Sequence, residues 1–186
     1  MKKLRGLAAA FLAGAMMLSV AGCSSVKYIE DEDKFFDALE KTADIRKKDT
    51  RLHEKRTTFN GDDVEYIIFA EDGDNYYLYV RYEDEDDAMD RFEDFYEDFE
   101  DVLDDKEFDG SNMRSISKTK GSVVMNGDFE DGVELSGFQK FYDDTGFYGG
   151  VYVNKNVYIE VYSLDGSKRD KEKIDNFLKT IGMPKP

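Results

Sequence analysis

The 186-residue chain has one cysteine, one histidine, two prolines and no tryptophan. A single cysteine excludes an internal disulfide. With His53 as the only histidine, a zinc site of the usual kind is excluded, and a Cys–His nucleophile pair would have to use Cys23 itself. The lack of tryptophan weakens a sugar-stacking site. No glycine-rich phosphate loop is present, and Gly149-Gly150 falls inside a strand pattern, where close backbone approach or a bulge accounts for it. Positive charge is also short: 26 Lys and Arg stand against 42 Asp and Glu. That balance excludes the basic footprint nucleic acid requires. Carboxylates are so numerous that no pair specific to glycoside hydrolysis stands out. The expectation is a non-enzyme with no cofactor and no metal site, an extracellular hydrolase being the third of three readings.

What is present begins with an address. Lys2, Lys3 and Arg5 precede an apolar stretch, Gly6 to Ser19, that is shorter than the ~20 residues a membrane-spanning helix needs. This is the layout of an export signal over residues 1–22. Val20-Ala21-Gly22-Cys23 resembles the lipobox of bacterial lipoproteins, in which a cysteine after small or aliphatic residues receives a diacylglycerol before cleavage. Val20 stands where that motif usually has leucine, and Leu18 lies two places upstream. The alternative is an ordinary secretory signal cut near Ala21. Lipidation of Cys23 would consume the only thiol, and two or three acyl chains anchor firmly because each buried methylene contributes ~0.8 kcal/mol. Removing Lys2, Lys3 and Arg5 with the signal leaves 23 basic residues against 42 acidic ones, a formal charge of −19. The body is therefore expected to stand off an anionic leaflet, tied to the outer face of the cell membrane by the lipid. Residues 23–30 read as the lipidated cysteine and a tether, and residues 31–186 as one domain.

Along that domain, helical spacing from Glu32 to about Lys48 predicts a first helix, followed by a basic stretch with Arg46, Lys47, Lys48, Arg51, Lys55 and Arg56. Val64–Ala70 and Tyr76–Tyr82 flank a Gly-containing turn and read as a hairpin. Asp84 caps a second helix striped with Ala88, Met89, Phe92, Phe95, Tyr96, Phe99, Val102 and Leu103. Residues 115–120 and 122–126 are possible short strands; Phe138–Tyr142, Phe147–Val153 and Val157–Ser163 are clearer ones. A last helix runs from a Ser167 cap to Ile181, stopped by Gly182 and Pro184. YYLYVRY laid over VYIEVYS matches Tyr77 with Tyr158, Leu78 with Ile159 and Val80 with Val161, each copy being followed by an amphipathic helix. Two hairpin-helix units predict an α+β fold, one antiparallel sheet with helices packed on one face.

Strand alternation then sorts side chains. With Leu78, Val80, Val151, Val153, Ile159 and Val161 facing the helices, the opposite face carries Tyr77, Tyr79, Tyr148, Tyr152, Tyr158 and Tyr162, beside Arg81 and Glu160. Tyrosine suits a surface that is wet when free and dry when bound. These six form the candidate face for a protein, peptide or small-molecule ligand; the other reading is that they are ordinary strand residues or pack on the segment between Phe108 and Phe138.

Glu83 to Asp105 holds fourteen acidic residues in 23 positions, against the single base Arg91. Like charges three and four apart destabilise a helix, and acids near its C-terminus oppose the dipole. The stripe is either solvated, neutralised by the lysines of the last helix, or matched by a ligand such as a cation or basic partner, although no EF-hand spacing is present.

The lipobox, the hairpin running into an acidic stretch and an aromatic helix, and the closing strand-turn-strand-helix with VYIEVYS and IDNFLKTIG together resemble a group of small surface lipoproteins of Gram-positive gut-type bacteria. The resemblance spans nearly the whole mature chain. It implies a location and a fold, and carries over no functional residue except Cys23. The leading expectation is thus a membrane-anchored extracytoplasmic binding or accessory domain, the second a structural or assembly component of the cell envelope.

Overall fold

The first helix, α1 (Glu32–Ala43), starts where Asp31 accepts a hydrogen bond from the Asp33 N–H at 3.0 Å, and stops at Asp44 in the left-handed region, φ 57°. It is shorter than its periodicity suggests, because the chain turns at Asp44 before the basic stretch. That stretch makes a single 3₁₀ turn and then a strand, β1 (Leu52–Phe59), which nothing in its apolar pattern announces. In a computed structural model that describes residues 26–130, 132–135 and 146–186, the remaining elements are β2 (Asp62–Asp72), β3 (Asn75–Tyr82), α2 (Glu85–Asp105), β4 (Phe108–Ser117), β5 (Lys120–Phe129), β6 (Gly146–Asn154), β7 (Val157–Ser163) and α3 (Lys168–Ile181). The export signal, Cys23 and the strand expected at Phe138–Tyr142 lie outside those residues. Ser167 caps α3 by accepting from the Asp170 N–H, and Gly182 ends it at φ 77°, as the sequence signals require.

The strands form one antiparallel sheet in the order β1-β2-β3-β7-β6-β5-β4, so the fold is α+β as expected. The helices do not share a face. Tyr77, Tyr79, Ile159, Val161, Tyr148 and Tyr152 pack under α1 and α3, while Leu78, Val80, Tyr158, Val151 and Val153 pack under α2. Register explains the difference: Leu78 pairs with Glu160, Tyr79 with Ile159 and Val80 with Tyr158. Each strand of the repeat does turn its aliphatic side toward the helix that follows it, but the two helices lie on opposite sides of the sheet. The six tyrosines are therefore split, four under α1 and α3 and two, Tyr158 and Tyr162, under α2. Tyr77, Tyr79, Tyr152 and Tyr158 are fully buried. They are core, not an open binding face.

Burying tyrosine demands partners for its hydroxyl. Tyr79 donates to the Ile29 carbonyl at 3.0 Å, Tyr152 to the Pro184 carbonyl at 2.7 Å and Tyr148 to Asp175 at 2.9 Å. Rings of Phe35, Tyr79, Tyr77 and Phe177 interlock at 4.8–5.3 Å between centres, fixing α1 and α3 to the sheet. On the other side the Phe92 ring lies directly over Gly121, where any Cβ would collide with it. Gly149 likewise lets β6 close on β7, as a Cβ there would collide with the Val161 carbonyl oxygen. The expected tether is also part of the fold: Val26 and Ile29 are buried in the α1–α3 layer, so the ordered domain begins at least five residues earlier than Asp31.

Tyr77 and Tyr79 differ in one respect, since the Tyr77 hydroxyl is buried without a hydrogen-bond partner among the described residues. Tyr79→Phe is expected to lower the free energy of unfolding by ~1–3 kcal/mol, because it strands the Ile29 carbonyl, whereas Tyr77→Phe is neutral or stabilising. Urea denaturation of the two variants checks this, and equal losses would contradict it.

Candidate functional site

β2 gains one residue at Glu65. Val64 pairs with Tyr82 and Tyr66 with Arg81, so two steps along β2 oppose one along β3. Opposite Glu65, Arg56 of β1 takes a left-handed conformation at φ 51°. Such bulges bend a strand and re-aim its side chains, and an arginine in that region costs of order 1 kcal/mol. The result is a cleft of about 630 Å³ lined by Lys55, Arg56, Glu65, Tyr66, Arg81 and Glu83.

Within it Arg81 is fixed. Its Nε lies 2.7 Å from Glu65 Oε2, its Nη1 lies 3.1 Å from Glu32 Oε2, and it donates to the Glu30 carbonyl. Lys55 reaches Glu32 at 3.4 Å and stands 4.7 Å from the centre of the Tyr66 ring. Burial pushes the Glu32 carboxyl up, but its own backbone N–H, Arg81 and Lys55 outweigh that and hold it below the usual range. The Tyr66 hydroxyl is pushed up to about 12 by burial and then by Glu32 and Asp33, and it touches His53 Nε2. Burial, then Lys47 and Lys55, hold His53 below its ordinary value, so the ring is neutral at pH 7. Arg56 is exposed and makes no ion pair among the described residues. The cleft therefore offers one uncommitted guanidinium beside two committed cations, with carboxylates at its edge. Sequence reading identifies this stretch only as basic; the bulge that gathers it has no compositional signature.

A second cluster lies under α2. Glu160 is 4 % exposed, and Tyr158 donates to its Oε1 at 2.7 Å. Arg91, the one base of the acidic helix, places Nη2 3.9 Å from the same oxygen and its guanidinium 5.6 Å from the Tyr158 ring centre. Burial raises the Glu160 carboxyl to about 7, the Tyr158 hydrogen bond and Arg91 only partly opposing it. Arg91 Nε and the Tyr82 hydroxyl are buried without hydrogen-bond partners among the described residues. Strand alternation alone assigns this cluster to a solvated face. The signal that could have found it is a lone acid within an apolar strand, VYIEVYS, and a lone base within an acidic helix.

The rest of α2 turns its acids outward. Glu85, Asp86, Asp90, Glu93, Asp94, Glu97, Glu100 and Asp101 are exposed, with Arg114 at 3.0 Å from Glu100. The lysines of α3 cannot neutralise this stripe, because α3 packs on the other face of the sheet. Instead Lys173 pairs with Asp72, and Lys171 binds Asn126 at 3.0 Å. No group of three or more His, Cys, Asp or Glu among the described residues is placed to hold a metal ion.

Glu160 makes stability depend on pH. Its folded-state value, about 7, lies above the ordinary 4.5, so the folded state holds the proton more tightly. The stability this contributes is fully present below about pH 4.5 and is lost as pH rises through 7, at roughly 1.4 kcal/mol for each pH unit between those two values. Glu160→Gln is expected to remove that loss, so the variant unfolds at higher urea concentration than the parent at pH 8 and close to it at pH 4.5. Parallel pH profiles for the two proteins would refute the assignment.

No protein-family model matches this chain, and comparison with curated proteins and with solved structures gives no match to either.

Proposed function

We propose that this protein is an extracytoplasmic lipoprotein, held to the cell membrane through Cys23, whose α+β domain is a non-enzymatic binding or accessory module. The observation that carries the binding role is the cleft at the β1–β2 bulge. Arg56 stands exposed there with no ion pair among the described residues, while Arg81 is held by Glu32 and Glu65 and Lys55 pairs with Glu32. A strained backbone that presents a free guanidinium is a feature a purely structural edge strand does not need. The chemistry suits a small amphoteric ligand: a carboxylate or phosphate meets Arg56 and an amine meets the exposed Glu83. Charge-assisted hydrogen bonds of this sort contribute ~1.5–3 kcal/mol each. The N-terminal pattern supports the address, since Val20-Ala21-Gly22-Cys23 has the small residues lipid attachment uses.

The second reading, an envelope assembly component acting through protein–protein contacts, has one observation in its favour. Among the described residues β4 is an edge strand, on which Met113 and Ile116 are 43 % and 42 % exposed. An open edge with apolar side chains is a surface another chain can extend.

Two measurements test the proposal. Labelled palmitate is expected to be incorporated into the protein in cells and to disappear with Cys23→Ser; label retained in that variant would overturn the anchor. For the cleft, titration calorimetry with a panel of dipeptides is expected to find binding that falls about tenfold or more in Arg56→Ala, with the fold intact by circular dichroism. Binding unchanged by that substitution would remove the cleft from any binding role.

A further inference from the structure

One end of the sheet carries the β6–β7 turn at Lys155-Asn156 and the β4–β5 turn at Lys118-Thr119. The first described residues cross it. The Glu30 and Ile29 carbonyls accept from Arg81 and Tyr79 of β3, the Tyr28 hydroxyl donates to Asn156 at 2.9 Å, and the Val26 carbonyl accepts from Asn154 of β6 at 2.9 Å. Followed backward to Val26, the chain thus steps from β3 past β7 to β6. Cys23 lies three residues before Val26, and three residues reach at most ~11 Å, about two strand spacings. A lipid on Cys23 therefore holds this end of the sheet at the membrane.

The side chains there fit that neighbour. Lys27, Lys118 and Lys155 are exposed. Ile116, one of two large hydrophobic side chains so exposed among the described residues, adjoins the β4–β5 turn. Tyr28 is half-buried with the Lys155 ammonium 4.9 Å from its ring centre. The Lys155 N–H donates to the Thr119 carbonyl at 2.8 Å, joining the two turns into one rigid edge. Acids at the same end, Asp62, Asp63, Glu83, Asp84 and the start of α2, belong to the β1–β3 half, with Glu30 where the chain reaches it. Tyr82 and Asn156 are hydrogen-bonded to each other, so Glu83 adjoins the Lys155 turn, whereas Lys118 lies at least three strand spacings, ~14 Å, from β3 and beyond the ~8 Å over which charges act at physiological salt.

Resting on the reading of Cys23 as lipidated, we propose that the β4–β7 half of this end is a membrane-docking surface. Lys27, Lys118 and Lys155 there meet anionic lipid headgroups, and the acidic β1–β3 half is tilted away. Val26–Glu30 are themselves held on the fold, so no more than three residues separate Cys23 from the packed domain. Each lysine near an anionic surface favours the docked orientation about fivefold, so Lys118→Gln with Lys155→Gln together weaken it about 25-fold.

The test uses the chain from Cys23 coupled through that thiol to a maleimide lipid in nanodiscs. This places the anchor whether or not cells lipidate the residue, and it keeps every described residue. Amide signals are recorded with gadolinium-chelating headgroups in the bilayer. With phosphatidylglycerol present, broadening is expected at Ile116–Thr119 and Lys155-Asn156, not at Asp72–Asp74 on the far end, and it fades in the double glutamine variant. Broadening spread evenly over the domain, centred elsewhere, or equal in phosphatidylcholine alone overturns the docking surface. Mass spectrometry of Cys23 from native membranes reports separately on the anchor, so an unmodified cysteine would defeat that reading without altering what the nanodisc result says about the surface.

Discussion

Covering both faces of a seven-stranded sheet is the constraint on which the rest of this structure depends. With α1 and α3 on one side and α2 on the other, strands β3, β7 and β6 have no wet face. Tyrosines placed there must bury their rings and find partners for their hydroxyls. The partners come from the chain ends: Ile29 for Tyr79, Pro184 for Tyr152, and Asp175 of the last helix for Tyr148. The N-terminal segment and the C-terminus are thus tied down as acceptors for buried phenols. A segment that composition reads as a tether becomes part of the core by the same requirement.

The proposed binding cleft and docking surface consequently lie at the margins of the sheet rather than on its faces. The bulge at Glu65 gathers Lys55, Arg56 and Arg81 into an open cleft, and the strand ends beside Val26 carry the lysines. The strongly acidic outer face of α2 lies apart from the cleft. Its charge lies on the far side of the sheet from the basic cleft and raises the net charge that keeps copies of the domain apart. Arg91 turns inward from that helix toward Glu160, leaving a carboxyl and a guanidinium held by burial and only loosely by each other. A pair 3.9 Å apart in such surroundings does little to offset its own desolvation.

Much of this is legible in the residues. Ser167 and Gly182 bound α3, the Phe92-Phe95-Phe99 stripe marks α2, and β6 and β7 are plain in their β-branched and aromatic runs. Alternation within each strand also holds, since Leu78 and Val80 face the helix after β3, and Ile159 and Val161 the helix after β7. What alternation cannot supply is which side of its neighbour a strand presents. That depends on register, and a one-residue change exchanges the faces. Two repeats that read as sharing one helical layer therefore serve two. β1 escapes a reading by pattern because LHEKRTTF lies on the sheet edge, largely exposed, and carries no apolar period. The cleft escapes with it, because it depends on Arg56 opposite an unpaired Glu65, a backbone feature invisible in composition.

If the tyrosines are interior and the working surfaces lie at the margins, the phenols must resist a reagent in solution. Nitration with tetranitromethane under native conditions, followed by peptide mass spectrometry, tests this most directly. Tyr28 and Tyr76, which are half-buried, are expected to be modified, while Tyr77, Tyr79, Tyr152 and Tyr158 stay unmodified until the protein unfolds. Modification of Tyr77, Tyr79 or Tyr152 in the folded protein at a rate near that of Tyr28 would mean that the sheet has an open face, and would contradict an interior placement of the tyrosines.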